Sequence, residues 1–145
     1  MKKIILAVVA AIIIAAAWYI YKEYTRKHAD LKTMKSHFSM ESGELIAAFE
    51  KDPASANRKF VNKVIIVSGN VKSIDTHGNP VVFAIGNPGE MSSVLCSMDS
   101  TYAEEYRNIR EGDKIYIKGM CIGGETQDLF GTDVKMNRSV LEMKN

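Results

Sequence analysis

The side chains that could carry chemistry are few and scattered. Cys96 and Cys121 are isolated cysteines with no C-x-x-C pair and no histidine at ligand spacing, so no zinc site is expected. His77 sits in Thr76-His77-Gly78-Asn79-Pro80, a turn sequence, while His28 and His37 lie in a charged stretch nearer the N-terminus. None has a nucleophile beside it. Glu104, Glu105, Asp128 and Asp133 read as solvated helix and loop positions, which do not compose an acid–base pair. Gly86-Asn87-Pro88-Gly89 and Gly123-Gly124 read as turns, because neither joins a strand to a helix as a phosphate-binding loop does. The expectation is binding without catalysis, with no metal and no cofactor.

The elements that would position these residues follow from periodicity. Leu45, Ile46 and Phe49 form an apolar stripe at helical spacing, with Ser42 as a candidate N-cap and Pro53 as the stop, so a short helix is predicted over residues 44–52. Residues 54–62 form a connector in which Ala56 and Phe60 prolong or echo that helix. From residue 63 the pattern changes to β-branched residues and period two. A long first strand is predicted over residues 64–74, with Gly69 at a bulge or bend. The turn through His77 returns the chain as a hairpin over residues 81–85, and a third strand over residues 92–98 puts Val94, Cys96 and Met98 on one face. Thr101 to Glu104 fits a capping box, and Tyr102, Tyr106 and Ile109 share a face, which predicts a helix of about ten residues. A fourth strand over residues 114–119, a turn at Gly123-Gly124-Glu125, and a fifth strand over residues 129–136 with Phe130, Thr132, Val134 and Met136 together complete the pattern.

Five strands with a helix between the third and fourth describe a mainly β fold, the five-stranded Greek-key barrel known as the OB-fold. In such a barrel a ligand would lie across strands two and three and the loops at 75–80 and 123–128. Phe83, His77, Asn79 and Lys72 are the candidate ligand-binding residues on that face. Phe83 also reads as core, since it is in register with Val81 and Ile85. By strand parity both Cys96 and Cys121 point into the barrel. There they form either a disulfide, in an oxidising compartment, or two reduced apolar side chains.

The N-terminus is of another kind. Residues 4–20 are an uncharged apolar run of 17, flanked by Lys2 and Lys3 before and Lys22, Arg26 and Lys27 after, with Trp18, Tyr19, Tyr21 and Tyr24 at its C-terminal end. Length and aromatic belt predict a single transmembrane helix. A cleavable export signal is the alternative, because Ala15-Ala16-Ala17 supplies small residues at cleavage spacing. No cysteine precedes Cys96, so lipid attachment at a signal junction is not expected. The expected domains are an anchor or signal at 1–21, a juxtamembrane stalk at 22–40 and the OB barrel at 41–145, on the extracytoplasmic (periplasmic) side of the membrane.

Charge follows the same division. The net +2 of the 145 residues combines a surplus of five bases in residues 1–40 with a deficit of three in the rest. The barrel is therefore acidic and lacks the clustered Lys and Arg that phosphate binding needs, which disfavours nucleic acid as a partner.

The helix at 44–52 and the stretches 63–71, 94–96 and 109–121, in particular the strand ending in Ser68-Gly69 and Gly112-Asp113 leading to a strand, Gly119 and Cys121, resemble the tRNA_anti-like OB-fold family. The resemblance extends over roughly residues 44 to 142. It implies the barrel and a bacterial domain often found behind a signal or lipid anchor, and it implies fold more securely than RNA binding. The resulting expectation is a membrane-tethered, non-catalytic binding or scaffolding module for a protein or envelope component. The alternative is a domain that binds single-stranded nucleic acid or tRNA.

Overall fold

The computed structural model describes residues 2–24, 30–127 and 129–143 and divides the chain into two compact units, Met1–Asp30 and Leu31–Asn145. Residues 25–29 of the predicted stalk, with Arg26, Lys27 and His28, lie outside the described residues, as does Asp128 of the predicted loop.

The first unit is one helix, α1 (Lys2–Tyr24), whose described side chains are exposed. Among the described residues no helix is long and apolar enough to cross a membrane, so the structure gives no support to the transmembrane helix expected over residues 4–20.

In the second unit the chain enters the barrel before residue 41. Leu31 is buried with Val64 and Val140, and Met34 and Tyr102 pack against them. Lys32 hydrogen-bonds Glu105 and stands 4.1 Å above the Tyr102 ring. The Lys118 ammonium, itself only 6% exposed, donates to the Lys32 carbonyl at 3.2 Å and faces Glu142 at 3.7 Å. A buried cation needs such partners. The last part of the expected stalk is thus packed structure, ending in a strand, β1 (Phe38–Glu41).

Next come α2 (Ser42–Lys51), α3 (Pro53–Phe60), β2 (Val64–Asp75), β3 (Val82–Gly86) and β4 (Ser93–Met98). A single 3-10 turn, Ser100–Tyr102, leads into α4 (Ala103–Tyr106), and β5 (Lys114–Gln127) and β6 (Gly131–Leu141) finish the domain. The expected helix of about ten residues is only that short pair of turns. Asp99, not Thr101, opens it, its carboxylate accepting from the Thr101 N–H at 2.9 Å.

Strands β2, β3, β4, β6 and β5 join in that order, and β5 pairs again with β2, closing a five-stranded barrel as the sequence pattern predicts. Closure needs one parallel pair, β4 with β6, while the other pairs are antiparallel. β2 serves different partners along its length. Val64–Asn70 pair with β5, and from Asn70 onward the other edge pairs with β3. β1 runs parallel to Ile65–Ser68 on the stretch of edge that β3 leaves open, satisfying backbone groups that would otherwise be stranded.

Gly69 marks this change of partner, but not as a bulge. The register shift lies between Val71 and Ser73. At Gly69 a Cβ would sit 2.5 Å from Ser42 Oγ and 2.6 Å from Ile85 Cγ2, so glycine is required by the close approach of α2 and β3. Ser42 is correspondingly buried inside α2. Glu41 caps the helix instead, in a reciprocal capping box with Glu44.

α2 packs against β1 and all five barrel strands, plugging one end of the barrel with Leu45 and Phe49. Gly123-Gly124 is not a turn, because β5 continues through both residues. A Cβ on Gly124 would lie 2.6 Å from Phe49 Cδ1, so the bare backbone receives the plugging ring. Phe60 of α3 extends the aromatic contact, with ring centroids 6.1 Å from Phe49 and 5.2 Å from Phe38.

Replacing Gly69 by Ala should overpack this junction and lower stability by about 1–3 kcal/mol. Gly78→Ala, in an exposed turn where a Cβ meets its nearest contact at 3.6 Å, should change little. Urea unfolding of both variants checks this, and equal midpoints would show that the approach at Gly69 is not constraining.

Candidate functional site

Barrel parity decides which side chains a ligand could touch. Phe83, Ile85, Val94, Cys96 and Met98 point inward, so the alternate residues of β3 and β4 form the outer face. One row across it runs Ser73, Ala84, Leu95, Lys135 and Gly123, and another runs Asp75, Val82 and Ser97. These rows contain no aromatic side chain. Their one cation, Lys135, is paired with Glu125 at 2.9 Å.

Two of the residues expected to bind a ligand are committed elsewhere. Phe83 is 1% exposed and stacks edge-on against Tyr106, with centroids 5.7 Å apart, so it is core and cannot serve as a platform. Burial, and then the Asp99 carboxylate, hold the Tyr106 phenol above its usual pKa. Lys72 sits at the register shift of β2 and donates to the Glu90 carbonyl at 2.5 Å, the Ser92 carbonyl at 3.0 Å and Ser93 Oγ at 2.9 Å. Three acceptors match the three protons of an ammonium, so this lysine clamps the β3–β4 loop.

His77 and Asn79 do lie exposed in the β2–β3 turn. The His77 N–H donates to the Asp75 carboxylate at 2.9 Å, and its Nδ1 lies 3.2 Å from the same oxygen. The backbone bond and then the ring contact hold Asp75 below the usual carboxylate range. This turn is internally bonded and stands apart from Lys72 and Phe83 in role.

The cysteines are free and fully buried, the second of the two arrangements that strand parity allows. Both take Met136 as register partner, one from each side of β6. Two strand spacings separate them, about 9–10 Å between Cα atoms, whereas a disulfide spans at most about 7 Å. Burial pushes the Cys96 thiol up to about 12 and raises Cys121 as well. Among the described residues no group of three or more His, Cys, Asp and Glu could hold a metal ion.

What sequence reasoning missed is a groove on the far side of α2. Gly43, Ile46, Ala47 and Glu50, one turn-spaced stripe of the helix, form one wall, and Asn87, Glu90, Met91 and Ser92 of the β3–β4 loop form the other. The cavity measures about 380 Å³. Ser92 Oγ donates to Glu50 Oε1 at 2.9 Å and accepts from the Thr132 N–H at 3.0 Å, locking helix, loop and the start of β6 together. Asn87 Nδ2 donates to Glu90 Oε1 at 3.1 Å. Beside the groove the β5–β6 turn exposes Leu129 and Phe130 at 79% and 67%, and Met91 is 70% exposed. The sequence pattern places Phe130 on a common face with Thr132, Val134 and Met136. Gly131, which opens β6, puts it in the turn instead. The available signal was Gly131 itself, an interruption between Phe130 and the strand.

The tRNA_anti-like family model matches residues 1–130. The chain belongs to that family. Among curated proteins none matches this tRNA_anti-like chain. Of solved structures, a Klebsiella pneumoniae protein provisionally described as a nucleic acid-binding lipoprotein is similar with a TM-score of 0.54 and 14% identity, over 81% of this chain and 100% of its own. The OBody NL8 bound to hen egg-white lysozyme follows at 0.40 and 14%, over 57% and 97%. A Leishmania major protein provisionally described as an aspartyl-tRNA synthetase gives 0.45 and 10%, over 90% and 26%. At such identities the likeness is one of fold.

Both thiols should resist an aromatic disulfide reagent in the native state and react after denaturation. The sign of their contribution to stability follows from the raised values. The unfolded chain loses the Cys96 proton near 9.0 while the folded chain keeps it to about 12, so stability falls across that window as pH rises. Cys96→Ala should flatten this alkaline loss in urea unfolding. Rapid labelling of the native protein would contradict the burial.

Proposed function

We propose that this chain is a membrane-tethered, non-catalytic binding module whose OB barrel takes a protein or envelope component rather than single-stranded nucleic acid. The observation that carries the reading is the outer face of β3 and β4. OB domains that hold single strands stack bases on aromatic side chains and follow the phosphates with cations. Here the corresponding rows are Ser73, Ala84 and Leu95 with Val82 and Ser97, and their lysine is neutralised by Glu125. The description of the Klebsiella protein points to nucleic acid, but on this chain that face offers a base nothing to stack on.

The tether rests on the sequence of α1. Its 17 uncharged residues from 4 to 20 give a sequence that is apolar all round a helix, a pattern suited to burial in an apolar surrounding. Their rise of roughly 25 Å approaches the ~30 Å of a hydrocarbon core. Trp18, Tyr19, Tyr21 and Tyr24 suit the interface, with Lys22 lying 5.7 Å from the Trp18 ring. The short basic flank ahead of the run has the form of an export signal, which favours a periplasmic barrel.

Two measurements test the reading. After alkaline carbonate extraction the full-length protein should stay in the membrane fraction, and its release into the supernatant would remove the tether. Fluorescent oligothymidylate and oligouridylate should show no change in anisotropy at low salt. Salt-sensitive binding that Lys135→Ala abolishes would establish the nucleic-acid alternative instead.

A further inference from the structure

We infer that the groove between α2 and the β3–β4 loop, extended by Met91, Leu129 and Phe130, receives a short partner-protein segment in which a Lys or Arg lies among apolar side chains. The inference rests on the reading of the domain as a binding module for a protein, and it supplies the surface and the chemistry. This surface is distinct from the β3–β4 face on which OB domains hold single strands.

Contiguity is the first argument. The Thr132 N–H to Ser92 Oγ bond of 3.0 Å joins the two loops, and Met91 and Phe130 stand next to that junction. Three large apolar side chains exposed at a point of loop contact cost free energy in water, which one covering partner would relieve. A small molecule seated in a cavity of about 380 Å³ would leave Leu129 and Phe130 bare. A segment of chain crossing the groove covers both.

Charge selects the segment. Every charged side chain lining the groove is acidic, Glu50 and Glu90, and each carboxylate hydrogen-bonds a neutral donor, Ser92 and Asn87 respectively. Lys72, the cation at the base of the loop, spends its protons on the loop's own carbonyls and on Ser93. Its positive charge offsets one of the two carboxylates, so the groove keeps a net negative charge that favours a cation, and Ile46, Ala47 and Met91 supply its apolar floor. An acidic segment, or an anionic lipid surface, would meet like charge.

The test uses the full-length protein in lipid nanodiscs and two fluorescent decapeptides of Leu, Phe and Ser, one carrying two Lys and the other two Glu in their place. Anisotropy should show that the Lys peptide binds at least about tenfold more tightly. Phe130→Ser combined with Met91→Ser should weaken it by about tenfold or more. Glu50→Gln with Glu90→Gln should weaken it several-fold and reduce its salt dependence. Ala47→Lys, on an exposed helical position, should block binding while leaving the urea midpoint in place, which separates loss of the site from loss of the fold. The inference falls if the Glu peptide binds equally, or if the apolar variants bind normally. It falls too if those variants abolish self-association or adhesion to empty vesicles in place of peptide binding. Oligonucleotide binding that Lys135→Ala abolishes would overturn the proposed function, a result separate from the peptide titration.

Discussion

The whole domain depends on one strand changing partners. Along β2 the first half is shared between β5 and the short parallel β1, and the second half passes to β3, with Gly69 at the crossing. Two buried groups from different elements, Ser42 of α2 and Ile85 of β3, converge where a side chain would otherwise stand. Because close-packed interiors have no slack for one extra methyl, this point fixes the depth of the helix and the position of the hairpin together. The barrel closes around it, and α2 is seated to plug the end.

The placement of α2 then has two consequences. Its inner stripe, Leu45 and Phe49, completes the core and needs the bare backbone of Gly124 beneath the ring. A neighbouring stripe, Gly43, Ala47 and Glu50 beside the buried Ile46, is left as a wall, and the β3–β4 loop supplies the facing one. That loop is held by single polar atoms, the Lys72 ammonium below it and the Ser92 hydroxyl between Glu50 and Thr132. A surface built on such bonds is preorganised, which lowers the ordering cost of taking up a partner. Elsewhere on the barrel the buried Lys118 and the apolar contact of Leu31 fasten the entering chain.

Two features direct the functional reading away from the chemistry implied by the family name. The face that in other OB barrels stacks bases is here small and aliphatic, and its lysine is paired with a carboxylate. The side chains that could anchor a ligand, Met91, Leu129 and Phe130, lie on loops beside an acidic groove. A scaffold with the same strands can therefore present different chemistry by moving its exposed apolar groups from the sheet to the loops.

Local pattern by itself determined the strands. Alternation and β-branching place β2, β3 and β4 nearly to the residue and put Val94, Cys96 and Met98 inside, because period two is a property of the chain and burial follows from it. The apolar run of residues 4–20 is equally plain in sequence. Contacts between residues far apart decided the rest. Gly124 looks like a turn until Phe49 is seen to need the space, and β1 has no strand pattern of its own because its partner is the free edge of β2. Cys96 and Cys121 share an inward parity, but only the order of strands puts Met136 between them and keeps the thiols apart. In sequence Lys72 reads as a candidate ligand-binding residue and Glu50 as one more position of the predicted helix. Their roles come from loop atoms about twenty and about forty residues away, which no local periodicity records and only the closed barrel brings together.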